Sequence, residues 1–165
     1  NGAPEYSQWD YGPQKRILNS ISISTRNRSI FFNEVSAVFS HQYIEESRIT
    51  RKFNSRIQRN MIEKVNVLGG NIQLSKSLSS SAQLTYGTEL YYNSVQSDAY
   101  SINLSNFIVS TNNSRYPSGG SNIFFPALYG NYNIKKNRFV IMAGVRYTWN
   151  HIYASYGDNF CEWAG

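Results

Sequence analysis

Apolar residues at alternate positions, aromatic residues at the ends of the apolar stripes, and connections alternating between short and long predict an all-β protein. The expected fold is an antiparallel portion of a transmembrane β-barrel, with about six strands, short periplasmic turns and long extracellular loops. The stretch Arg138 to Tyr153, RFVIMAGVRYTWNHIY, is the clearest instance. One face reads Phe139, Ile141, Ala143, Val145, Tyr147, Trp149, and the other Val140, Met142, Gly144, Arg146, Thr148, Asn150. A period of two is a strand. The first face runs from aromatic through aliphatic back to aromatic, the order that a bilayer and its two interfaces impose. From Phe139 to Trp149 is roughly 33 Å of strand, and a tilt of about 40° leaves about 25 Å along the membrane normal. The competing reading is a soluble β-sandwich, whose inner face is also apolar.

Composition is compatible with that fold. The 165 residues include 13 Tyr, 9 Phe and 3 Trp, yet only 41% are hydrophobic, and mean hydropathy is -0.46. No apolar run is long enough for a transmembrane helix, and a barrel needs none, because only alternate residues meet lipid. Cys161 is the sole cysteine, so the chain holds no internal disulfide or thiolate cluster. The opening residues, NGAPEYSQWDYGPQKR, show no leader pattern, and the closing DNFCEWAG shows no closing strand. The expectation is a piece of something longer.

The elements follow in order. Asn1 to Gly12 reads as a loop ending in a strand, punctuated by Pro4, Gly12 and Pro13. The first predicted strand, 14–25, carries Ile17, Ile21 and Ile23 on one face with Asn19 and Thr25, and Arg26 to Ser29 forms a short turn. The second, 31–48, places Val35, Ala37, Phe39, His41 and Tyr43 opposite Ser36, Val38, Ser40 and Gln42, then rises into a long charged hairpin near 49–60. The third, 61–74, shows Leu68, Gly70, Ile72 and Leu74 against Val67, Gly69, Asn71 and Gln73; 75–80 is a turn. The fourth, 81–94, has Ala82, Leu84, Tyr86, Thr88, Leu90 and Tyr92 on one face, with Gln83, Thr85, Gly87, Glu89, Tyr91 and Asn93 on the other. A carboxylate in mid-strand suits a wet barrel interior better than a dry core. The Ser- and Asn-rich segment 95–124 reads as a long connection. The fifth strand, 125–134, sets Leu128, Gly130, Tyr132 and Ile134 against Ala127, Tyr129, Asn131 and Asn133, and KKNR turns into the sixth.

The segments AQLTYGTELYYNSV, FFPALYGNYNI and RFVIMAGVRYTWNHIY, with WDYGPQKRILNSISI and HQYIEESRITRKF before them, resemble barrel strands of the TonB-dependent outer-membrane receptors. Strands carrying Y-G-x-E-L-Y-Y and G-x-R-Y recur in that family. The resemblance implies that residues 1–165 are an internal part of the barrel domain, without the family's plug domain, coupling box or closing strand. It further implies a bacterial outer-membrane location and transport of a scarce ligand: a siderophore, cobalamin or a glycan. The partners it implies are outer-membrane lipid and lipopolysaccharide, and the TonB complex reached through other parts of the receptor.

Charge and chemistry narrow the function. The net charge of +6 is concentrated at Arg48, Arg51, Lys52, Arg56 and Arg59, read as an extracellular basic loop. Smaller groups sit at Lys15 with Arg16, Arg26 with Arg28, and Lys135 with Lys136 and Arg138, all at strand ends. Headgroup or lipopolysaccharide phosphates are expected there, and not nucleic acid, although Phe53 within the basic run is a mixture that nucleic-acid binders use. No nucleophile elbow, P-loop or H-E-x-x-H is present, so no enzyme and no cofactor is expected. His41 and His151 lie in separate strands, and His151 with Asp158, Cys161 and Glu162 fits no standard metal spacing. An outer-membrane enzyme using His151 or Glu89 and a soluble adhesin or carbohydrate-binding sandwich are the alternative classes. If the chain is barrel wall, the lumen-facing candidates are Gln83, Thr85, Glu89, Asn93, Asn131, Arg146 and Asn150.

Overall fold

The computed structural model describes residues 4–157. Nine strands form one antiparallel sheet, with no helix among the described residues: β1 (Tyr6–Tyr11), β2 (Lys15–Arg26), β3 (Glu34–Lys52), β4 (Ile57–Ser77), β5 (Ala82–Asn103), β6 (Val109–Thr111), β7 (Ser121–Lys136), β8 (Phe139–Thr148) and β9 (His151–Ala154). Both β1 and β2 lie along β3, while β8 and β9 both lie along β7, and β6 is a short addition to β5. The sheet is therefore six ribbons wide, and its two edges are not joined.

Each edge is interrupted for an identifiable reason. Thr148 lies opposite Ala127 and His151 opposite Phe124, so β8 and β9 share one register. Between them Trp149 donates its backbone N–H to the Pro126 carbonyl at 3.0 Å. Pro126 has no N–H to return, so the ladder lapses there. On the other edge Tyr11 faces Arg48 and Lys15 faces Glu45, so three residues of the edge oppose two of β3. This is a β-bulge at Gly12–Gln14, and Pro13 sits on an edge where a missing donor is tolerated.

The segment Asn1 to Gly12, read as a loop ending in a strand, has that strand as β1. Two expected boundaries need correction. The hairpin expected near 49–60 is strand on both sides of a four-residue turn, 53–56, with Asn54 at φ 59°. The connection expected at 95–124 is strand as far as Asn103, holds β6, and resumes as strand at Ser121. In each case both faces of the segment are polar or mixed, so apolar alternation fades while backbone pairing continues. The connections at one end, here called lower, are 27–33, 78–81 and 137–138; those at the upper end are 53–56 and 104–120.

Register decides which side chains share a face, because directly opposed residues point the same way. Ile23, Ala37, Ile72, Thr88, Leu128 and Tyr147 form one row across the sheet. The next row down is Thr25, Val35, Leu74, Tyr86, Gly130 and Val145. The stripes read from the six stretches separately thus fall on one and the same face. On that face a row containing Lys76 closes the lower end, and Lys15, Glu45 and Lys64 close the upper end. The five rows between hold no Asp, Glu, Lys or Arg.

The sheet is a single layer. Ala82 and Ala127 are the only buried apolar residues among those described, whereas Val145 is 74% exposed, Leu128 63% and Leu90 46%. Among the described residues no second sheet covers Leu84, Tyr86 and Leu90 as a sandwich would require.

Candidate functional site

On the face opposite the apolar rows, Glu89 of β5 stands between Asn71 of β4 and Ala127 of β7, while Arg146 of β8 stands opposite Tyr129 of β7. The Arg146 Nη2 donates to Glu89 Oε2 at 2.6 Å. The second carboxylate oxygen accepts from Asn71 Nδ2 at 3.2 Å, and Arg146 Nε donates to Thr148 Oγ1 at 3.2 Å. Tyr129 reaches across β5 to lie 3.4 Å from Asn71 Nδ2 and 3.5 Å from Gln73 Oε1.

Glycines make this reach possible. A Cβ on Gly87 would stand 2.6 Å from the Tyr129 hydroxyl oxygen and 2.3 Å from the Ile72 carbonyl oxygen. A Cβ on Gly144 would stand 2.2 Å from Asn131 Oδ1. The two glycines leave bare backbone over which Tyr129 and Asn131 lie. The result is an open depression of about 470 Å³ lined by Asn71, Gln73, Glu89, Tyr129, Asn131 and Arg146.

With Arg146 49% and Glu89 24% exposed, the ion pair is solvated and contributes little to stability. Its chemical use is to present a fixed alternation of donors and acceptors across four strands. Such a surface offers both partners that a hydroxylated or hydrated solute would need for hydrogen bonding. No nucleophile paired with a base lines it.

The structure brings Glu89, Asn131 and Arg146 together and disperses the other candidates. Gln83 lies lower on the same face beside Ser77 and Asn133, and Thr85 Oγ1 is 3.5 Å from Ser75 Oγ. Asn93 lies higher, with its Oδ1 buried and unpartnered. Asn150 falls in the gap between β8 and β9. The sequence reading placed Asn71, Gln73 and Tyr129 in the right phase without selecting them, since cross-strand register was needed to see them converge.

The expected basic loop is not a loop. Arg48, Arg51 and Lys52 belong to β3 and Arg59 to β4, leaving only Arg56 in the turn. The hairpin continues pairing through the charged residues, because charge on an exposed pair of strands does not break backbone hydrogen bonds. Arg51 donates Nη1 to the Ser55 carbonyl at 3.2 Å, Arg56 Nη1 to Ser105 Oγ at 2.8 Å, and Lys52 pairs with Glu5 at 3.3 Å. His41 Nε2 lies 3.4 Å from Asn66 Oδ1, and His151 stands opposite Phe124. Asp158, Cys161 and Glu162 lie outside the described residues, and among those described no three potential metal ligands converge. No protein-family model matches the chain, and no curated protein matches it.

Proposed function

We propose that this chain is part of the wall of an outer-membrane β-barrel of the TonB-dependent receptor kind, with the Glu89–Arg146 face turned to the lumen. One observation carries the reading. Lys76 and Lys64 bound the charge-free apolar face and are twelve residues apart on β4, or roughly 40 Å of strand, which a tilt of about 40° reduces to about 30 Å along the normal. That is the thickness of a bilayer's hydrocarbon core, about 30 Å. A single-layer sheet that exposes this band on one side and a hydrated cluster on the other suits lipid outside and water inside.

In this reading the connections 27–33, 78–81 and 137–138 face the periplasm, and 53–56 and 104–120 face outward. Lys15 and Lys64 meet lipopolysaccharide phosphates at the upper border, and the TonB complex acts through other parts of the receptor. The transported solute belongs to the scarce-ligand class: siderophore, cobalamin or glycan.

The test is accessibility labelling of the full-length protein in outer-membrane vesicles, with single cysteines replacing Tyr86, Leu90, Val145 or Glu89 in a Cys161→Ser background. The expected result is that the first three react only with lipid-soluble reagents and the fourth with a water-soluble maleimide. Burial of all three apolar positions in a detergent-free soluble protein would overturn the reading in favour of a sandwich adhesin.

A further inference from the structure

At the upper end of the same face, roughly 33 Å of strand above the Glu89 row, a second depression of about 330 Å³ is built from aromatic and cationic side chains. The bulge at Gly12–Gln14 sets the phase of β1 so that Trp9 stands opposite Thr50 and Tyr11 opposite Arg48. The Arg48 guanidinium lies 5.8 Å from the Trp9 ring centroid and 5.3 Å from that of Tyr11, within cation–π range of both. Tyr6 packs edge-on against Trp9 with centroids 4.8 Å apart. Arg59 shares the Trp9 row, and Lys52 completes the cationic lining.

Three features point to a ligand. First, Arg48 and Arg59 make no ion pair with any described residue, and no described carboxylate lines the depression, although Glu5 pairs with its Lys52 at 3.3 Å. Glu46 and Glu63 occupy the next row down, below the lining. Second, Arg48 Nε is buried without a hydrogen-bond partner, a cost that an acceptor entering the depression would remove. Third, two rings lie within cation–π range of the one guanidinium and limit its freedom to swing, and a restrained planar guanidinium is the group with which Arg recognises a carboxylate or phosphate. Trp9 remains 49% exposed, leaving ring surface for stacking.

From this geometry we infer that the Trp9–Arg48–Arg59 depression binds a small ligand carrying a carboxylate or phosphate directly on a flat ring. The anion takes the Arg48 fork, with Arg59 adding charge, while the ring packs against Trp9. The inference rests on the proposed function only in taking this face to be the one that meets solutes.

The experiment is equilibrium binding to the full-length protein in detergent micelles, using 1-naphthoate as the ring anion, 1-naphthalenemethanol as the same ring without charge, and inorganic phosphate as the anion without a ring. Binding of 1-naphthoate at least tenfold tighter than of either other probe is expected. Arg48→Met should reduce that affinity at least tenfold without changing naphthalenemethanol binding, Arg48→Lys should fall between, and Trp9→Leu should weaken both ring probes. Arg56→Met, outside the depression, should change none. The inference fails if 1-naphthoate does not bind, if phosphate alone matches it, or if Arg48→Met and Arg56→Met act equally. Cysteine labelling decides membrane placement independently: a soluble protein that binds 1-naphthoate through Arg48 would end the barrel reading and keep this one.

Discussion

At the residue scale, Gly87 shows how an empty position organises a site. Tyr129 crosses β5 only because residue 87 has no side chain, and through it Asn71 and Gln73 join the Glu89–Arg146 pair. Gly87→Ala should push Tyr129 off the strand and cost about 1–3 kcal/mol, the usual range for overpacking. Thermal unfolding of the protein in micelles reads the loss, and an unchanged midpoint would show that both Tyr129 and the β4 backbone at Ile72 give way without cost. Of this site the sequence displayed the phase of every member. Glu89 stood out because a carboxylate in mid-strand is unusual, whereas Asn71 and Tyr129 are ordinary in polar stripes. What brings them together is the register of β4 on β5 and β5 on β7, a property of pairs of strands that one strand's pattern does not contain.

At the scale of the element, sequence patterning located strands where one face is apolar and lost them where neither is. The upper ends of β3, β4 and β5, with Arg48, Arg59 and Asp98, continue as 19-, 21- and 22-residue strands beyond the point where alternation fades. Backbone pairing needs no apolar residue to propagate once the register is set below. The breaks have the opposite origin, since Pro126 interrupts a ladder whose register is intact on both sides. Pro126→Ala supplies an N–H opposite the Trp149 carbonyl. The new hydrogen bond adds about 1 kcal/mol, and the greater freedom of the unfolded chain removes about 0.4–1 kcal/mol, so net stability should barely move. Hydrogen exchange is the discriminating measurement: the amide of residue 126 in the variant should be protected to the level of its β7 neighbours. Rapid exchange there would mean that the gap has another cause.

For the molecule as a whole, the missing quantity is a core. Two buried alanines among the described residues cannot offset the ordering of so long a chain, and each exposed Leu, Ile or Phe forgoes about 1.5–3 kcal/mol that burial provides. The 165-residue chain expressed alone should therefore sediment as aggregate in aqueous buffer and form protected β-structure only with detergent or lipid. A monodisperse, exchange-protected species without amphiphile would mean that these faces cover one another. The unjoined edges act in the same direction, since each offers a row of free backbone donors and acceptors to any passing strand.

The bulge at Gly12–Gln14 also bears on how such a chain tolerates changes of length. An insertion or deletion within a regular strand turns every residue on one side of it to the opposite face. Here the surplus residue is already absorbed locally, so losing it restores an unbulged ladder with Tyr11 still opposite Arg48. The join between β1 and β2 is thus a point where the chain can lengthen or shorten by one residue while the same side chains keep the same neighbours.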